Sequence, residues 1–161
     1  MSTTAYLSLG SNLGDRAGNL QEAIQRLSQI ATVSRVSAFY ETEPMDFRDQ
    51  PWFLNCAVEV QTDKSAQALL ANAQIIEHDL GRNRAVNKGP RTLDIDLLLF
   101  GNEVIHTPGL VVPHPAMHLR RFVLAPLNEI SPDARHPIMG KVVRELLADL
   151  GAQGGEVRCA K

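Results

Sequence analysis

Asp94 and Asp96 are the residues here with the clearest capacity for chemistry. They stand in Gly89-Pro90-Arg91-Thr92-Leu93-Asp94-Ile95-Asp96-Leu97-Leu98-Leu99-Phe100, whose second half reads as a strand. Residues i and i+2 of a strand point the same way, so the two carboxylates project side by side while Ile95, Leu97 and Leu99 face a core. Carboxylates held that close repel each other unless a cation lies between them. Hard oxygen donors with open positions suit Mg²⁺, which keeps waters and takes further oxygens from substrate phosphates. For so short a motif, the polar face of an edge strand is the alternative.

Residues 82–91 hold Arg82, Arg84, Lys88 and Arg91 and no acid. In a chain of net charge −2, such a basic block beside paired carboxylates suits polyphosphate, because guanidinium forks bind its oxygens bidentately. A solvated basic loop is the plainer alternative. Together the two features point to Mg-nucleotide chemistry. Neither GxxxxGK[ST] nor GxGxxG occurs, so a nucleotide would be held without those loops. His114, between Pro113 and Pro115, has little freedom and suits a phosphate donor; a buried turn histidine is the alternative. His114 and His118 are four apart, but the prolines oppose a helix and with it a zinc pair. Aromatic residues make up only 5% of the chain. Phe53 shares a strand face with Asn55, so Phe53 and Phe122 could stack on a flat heterocycle whose edge the amide reads; core packing is the other role open to both rings.

The elements that must position these residues follow from periodicity. Residues 6–9 read as a strand stopped by Gly10, with Ser11, Asn12 and Asp15 as capping side chains for a helix. Leu20, Ala23, Ile24, Leu27 and Ile30 give that helix one apolar face. Residues 33–40 read as a second strand. Residues 53–61 alternate, with Leu54, Cys56, Val58 and Val60 on one face and Phe53, Asn55, Ala57 and Glu59 on the other. Residues 65–80 form a second helix, with Leu69, Leu70, Ala73, Ile76 and Leu80 on one stripe, Gln74 and Glu77 on another, and Gly81 as its C-terminal cap. After the strand 93–100 come a Gly-Asn turn, short extended pieces, a Pro-rich stretch and a helix near 140–150. The order strand, helix, strand, strand, helix, strand predicts an α+β ferredoxin-like sandwich: an antiparallel sheet with two helices on one face, the active site on the other, and a C-terminal extension. Loops 42–51 and 82–91 are expected to close over a nucleotide.

A length of 161 residues fits a single domain over 1–161. Hydrophobic residues at 44% and charged residues at 21% exclude a disordered or fibrous chain. With 16 basic and 18 acidic residues there is no global charge case for nucleic acid or an anionic membrane. No run approaches a membrane span, and the N-terminus lacks the basic start of a signal peptide. Cys56 and Cys159 form no CxxC pair, so a reducing cytoplasm is expected, with Cys56 in the core and Cys159 in a loose tail.

Several ordered motifs carry a resemblance over nearly the whole chain. They are Tyr6-Leu7-Ser8-Leu9-Gly10-Ser11-Asn12-Leu13-Gly14, Phe39-Tyr40-Glu41-Thr42, Asp49-Gln50-Pro51-Trp52-Phe53-Leu54-Asn55, Gly89 through Asp96, Phe100-Gly101-Asn102-Glu103 and Val112-Pro113-His114-Pro115. In these the chain resembles the 6-hydroxymethyl-7,8-dihydropterin pyrophosphokinase family of folate biosynthesis. The resemblance implies transfer of pyrophosphate from ATP to the pterin hydroxymethyl group. It implies Asp94 and Asp96 as ligands of two Mg²⁺ ions, with Asp96 also a candidate base, and Arg82, Arg91 and His114 as stabilisers of the transferred phosphates. It implies Gln74, Glu77, Arg84 and Arg120 on the nucleotide side. The pterin would stack between Phe53 and Phe122, its edge read by Asn55 and the backbone of Thr42 and Met45. Asn87, Lys88, Gly109, Val111 and Pro115 depart from the family pattern, and no nucleotide contact is assigned to Lys88, Gly109, Val111 or Pro115. The partners implied are ATP and a dihydropterin, taken by a cytoplasmic monomer without nucleic acid or membrane. Another Mg-dependent nucleotidyltransferase and a non-catalytic nucleotide-sensing module are the rival readings.

Overall fold

The computed structural model describes residues 2–44, 51–81 and 92–160. Much of both loops expected to move, together with Met45, Arg82, Arg84, Lys88 and Arg91, therefore lies outside the described residues. Eight strands occur among the described residues: β1 (Thr3–Ser11), β2 (Thr32–Val36), β3 (Tyr40–Thr42), β4 (Phe53–Thr62), β5 (Asp94–Phe100), β6 (Ile105–Thr107), β7 (Leu110–Val112) and β8 (Val157–Cys159). Four helices accompany them: α1 (Arg16–Ile30), α2 (Ala66–Asp79), α3 (Arg121–Ile130) and α4 (Val143–Leu150). The main sheet is antiparallel and runs β5-β1-β4-β3-β8, with β2 also paired to β4; β6 and β7 form a separate hairpin.

The alternation in β4 sorts two cores onto the two sheet faces. Leu54, Cys56, Val58 and Val60 join Leu7 and Leu9 against Leu20, Ala23 and Leu27 of α1 and Leu69, Ala73 and Ile76 of α2. On the opposite face Ala57 and Leu99 meet Val123, Leu124 and Leu127 of α3 and Val143 and Leu146 of α4. The caps match the side-chain chemistry. Asp15 accepts from the Gly18 N–H at 3.0 Å, Ser65 accepts from the Ala68 N–H at 3.1 Å, and Gly81 leaves α2 with φ +92°.

Five expectations need correction. First, β1 continues through Gly10 to Ser11, because Gly10 stays in register with Asn55 on one side and Asp94 on the other. Second, residues 33–40 split into β2 and β3: at Ser37 the ladder keeps one of its two bonds, Ser37 N–H to the Ala57 carbonyl at 2.9 Å, while the Ala57 N–H donates to the Ser37 hydroxyl at 2.9 Å. Third, Leu99 faces the second core, not the first. The β1–β5 register shifts between Tyr6 and Leu7, so Leu97 pairs with Leu7 and Leu99 with Tyr6, and this bulge at Leu98 reverses the remaining side chains. Fourth, helices cover part of both faces. The helix α3 runs through the Pro-rich region with Pro126 inside it, and among the described residues it leaves the Gly10 end of the second face open for a site. Fifth, Cys159 is exposed, and its segment is strand β8 on the edge of β3 and not a loose tail.

Candidate functional site

The open end of the second face collects Asp94, Asp96, Asn55 and Phe53. In β5, Ile95 and Leu97 turn to the first core, so Asp94 and Asp96 turn to the other face, where both are half-buried. Their cross-strand partners in β1 are Gly10 and Ser8. Gly10 pairs on its other side with Asn55. Asp94, Gly10 and Asn55 thus form one row across three strands, a row that the period of two makes possible.

The backbone between the two aspartates is held. The Ile95 N–H donates to Glu77 Oε2 at 2.7 Å, and Glu77 is 1% exposed. Glu77 therefore supports β5 from α2. Gln74, one turn earlier, is exposed, and the two do not share an environment as their spacing suggested. Adjacent same-face carboxylates form a hard, anionic donor set. A pair of carboxylates fits Mg²⁺, whose shell is completed by water and phosphate oxygens, better than structural zinc, which takes thiolate and imidazole donors.

Asn55 is 4% exposed and its amide is fixed at both ends. Its Nδ2 donates to the Leu9 carbonyl at 3.2 Å, and its Oδ1 accepts from the Thr42 hydroxyl. Thr42 is 1% exposed; its side-chain role is a contribution the sequence reading missed. Phe53 is half-buried one same-face position away. Gly10 was missed as well, although a glycine inside a strand marks close backbone approach. A Cβ at Gly10 would lie 2.5 Å from Asn55 Nδ2 and 3.4 Å from Phe53 Cδ1. Because Asn55 is tied at both ends it has nowhere to retreat, so Gly10→Ala is expected to cost about 1–3 kcal/mol by overpacking. Denaturant titration checks this; a midpoint shift below about 0.5 kcal/mol, the range of an unremarkable surface change, would show that Asn55 moves freely.

His114 follows β7, with its N–H donating to the Leu98 carbonyl at the bulge at 3.0 Å. Its Nδ1 accepts from the Ala116 N–H at 3.1 Å, which leaves Nε2 to carry the proton of the neutral ring. Burial pushes its pKa down to about 4, with the Arg120 guanidinium adding to the shift and the Asp94 carboxylate opposing it. The Arg120 guanidinium also lies 5.5 Å from the Phe122 ring centroid, and Phe122 is packed against the second core at the start of α3. Gly109 occupies the tight β6–β7 connection with φ +88°, and Val111 and Pro115 are exposed.

The His114 shift has a consequence for stability. Between pH 6.5 and about 4 the unfolded chain holds the proton more readily than the folded chain. Stability is therefore expected to fall as pH drops through that window and to level off below it. His136, lowered first by burial, adds to the same limb. Denaturant midpoints from pH 7 to 4 should show a shallower slope for His114→Gln than for the parent, and parallel slopes would overturn the assignment.

Comparison with known proteins settles the family. The model of the 7,8-dihydro-6-hydroxymethylpterin-pyrophosphokinase family matches residues 6–132. The chain belongs to this family. It is 52% identical over 132 residues to the 2-amino-4-hydroxy-6-hydroxymethyldihydropteridine pyrophosphokinase of Bacillus subtilis, covering 81% of this chain and 79% of that one. Identity to the protein of the same name from Aquifex aeolicus is 40% over 142 residues, with 88% and 89% covered. The folic acid synthesis protein fol1 of Pneumocystis carinii is 43% identical over 136 residues, but the match covers 84% of this chain and only 18% of that longer one. The Plasmodium falciparum HPPK-DHPS structure with pteroate superposes with a TM-score of 0.73 at 17% identity, over 92% of this chain and 42% of that one. This last likeness concerns the fold.

Proposed function

We propose that the chain transfers the β,γ-pyrophosphoryl group of ATP to the hydroxymethyl oxygen of 6-hydroxymethyl-7,8-dihydropterin and releases AMP, a step of folate biosynthesis. One observation carries the reading for this pyrophosphokinase-family chain: the carboxylate pair Asp94 and Asp96 shares a sheet face with the fixed amide of Asn55 and the ring of Phe53. The alcohol oxygen forms a bond to Pβ, the bond from Pβ to the α,β-bridging oxygen breaks, and AMP leaves with that electron pair. Asp96 is the candidate acceptor of the hydroxyl proton. Bound at Asp94 and Asp96, Mg²⁺, two ions in this reading, would neutralise phosphate charge and align the reacting oxygens. His114 donates through Nε2–H to a phosphate oxygen, and Arg82 and Arg91 supply charged donors to the same group. Arg120, Arg84, Gln74 and Glu77 belong to the nucleotide side, Glu77 by holding β5.

Pterin recognition rests on Asn55 reading the polar edge, with the backbone of Thr42 and Met45, while Phe53 and Phe122 sandwich the rings. The sheet order β5-β1-β4-β2, with α1 and α2 on one face, supports the ferredoxin-like description within a single domain over 1–161. No described helix is long and apolar enough to cross a membrane. A buried Cys56 and an exposed free Cys159 support a reducing, cytoplasmic setting, and we read the protein as a monomer.

The decisive experiment incubates the protein with ATP, Mg²⁺ and 6-hydroxymethyl-7,8-dihydropterin and separates AMP from ADP by chromatography. Stoichiometric AMP that requires both pterin and Mg²⁺ is expected. ADP would mean single phosphoryl transfer, and an absence of turnover would favour a nucleotide-sensing module.

A further inference from the structure

The segment matched by the family model ends at residue 132, yet the last described strand returns to the edge of the sheet beside the site. β8 pairs with β3 in the register Tyr40↔Cys159, Glu41↔Arg158 and Thr42↔Val157. Two more bonds extend the ladder: Glu43 N–H to the Glu156 carbonyl at 3.0 Å and Ala160 N–H to the Phe39 carbonyl at 2.8 Å. Without β8, β3 would be a three-residue edge strand held on one side by β4, a length that is marginal by itself. That strand carries Thr42, whose hydroxyl fixes Oδ1 of Asn55.

A second brace runs from the same strand. The Arg158 guanidinium lies 4.3 Å from the centroid of the Trp52 ring, directly before Phe53. The Trp52 carbonyl accepts from Arg16 at 3.1 Å, and Arg16 also bonds Glu41, the β3 partner of Arg158, at 2.6 Å. We propose that β8 positions the pterin-recognition half of the site, holding Asn55 through the β3 residue Thr42 and holding Phe53 through Trp52. This rests on the reading of Asn55 and Phe53 as pterin-binding. The metal-binding half lies farther from β8, since β5 is at the opposite edge of the sheet with β1 and β4 between it and β3.

The test measures KM for the pterin, KM for MgATP, kcat and thermal midpoint in four proteins beside the parent: a chain ended after Gly155, Arg158→Ala, Thr42→Val and Asn55→Ala. Removal of β8 is expected to raise the pterin KM roughly 5–30-fold, the effect of one or two kcal/mol of lost positioning, with the MgATP KM within about twofold, inside the few tenths of a kcal/mol allowed to uncoupled sites. Arg158→Ala removes an exposed side chain, leaves the ladder in place and is expected to raise it about 2–5-fold, the worth of an exposed cation–π contact; it decides the matter if the shortened chain does not fold. Thr42→Val should resemble the shortened chain. An unchanged pterin KM in the shortened chain and Arg158→Ala, with a raised one in Asn55→Ala, would overturn the role of β8. Equal rises in both KM values would reduce β8 to general support of the fold and overturn it too. An unchanged pterin KM in Asn55→Ala would instead remove the underlying reading of the pterin site.

Discussion

Asp94→Asn and Asp96→Asn are each expected to remove most of the AMP-forming activity, on the order of 10³-fold in kcat, because the reaction gathers negative charge that a neutral amide cannot offset. The substitutions keep side-chain size and leave the Ile95 N–H bond to Glu77 intact, so the fold should survive them. Each removes one of the two anionic donors on that face, and Asp96→Asn also removes the candidate proton acceptor. Charge and not shape is therefore what the assay reads. Higher Mg²⁺ concentration should recover part of the activity of Asp94→Asn if that residue acts by metal affinity. Turnover close to that of the parent in either variant would refute the metal assignment.

His114→Ala should cost about 10²–10³ in kcat, the usual effect of losing one preorganised donor to a developing charge. The ring is held at its backbone by the Leu98 carbonyl and at Nδ1 by the Ala116 N–H, so its Nε2–H needs no reorganisation on binding phosphate. With a pKa pushed down to about 4, the free-enzyme ring is neutral at pH 7 and works as an oriented hydrogen-bond donor. His114→Gln, which can place an amide N–H nearby, should recover part of the loss, while a lysine should not substitute for it. Arg91→Ala is expected to cost a similar factor. A His114→Ala enzyme within threefold of the parent would place the phosphate elsewhere.

How much of this was legible in the sequence depended on whether the signal was local. Alternation in β4 places Asn55 and Phe53 opposite the Leu54–Val60 stripe, and the same period places Asp94 and Asp96 on one face, since neither needs information from another part of the chain. The stripes and caps of α1 and α2 are equally local. Leu99 was misassigned because a bulge at Leu98 arises from pairing with β1, which periodicity within β5 does not contain. In α3 the prolines masked a readable pattern: Val123, Leu127 and Ile130 stand at i, i+4 and i+7, and Pro126 forfeits one helical hydrogen bond that packing against the sheet compensates. β8 was illegible because a three-residue strand has no periodicity of its own and exists through a partner more than a hundred positions away. The support given to Asn55 by Thr42 and to Ile95 by Glu77 was unreadable for the same reason, since the first joins residues brought together by the sheet and the second by the packing of α2 on it.

The two cysteines differ in a way that makes the chain easy to label. Cys56 is 1% exposed in the first core, and burial pushes its thiol up to about 12, so at neutral pH almost none of it is the thiolate that reacts with a maleimide. Cys159 is exposed at the end of β8, across from Tyr40. A thiol-directed fluorophore thus has a single address on the native protein, with no cysteine to remove first, and it sits on the strand that braces Thr42. Quenching of that dye, or relief of its quenching, would report in real time whether the edge of the sheet stays closed as pterin enters.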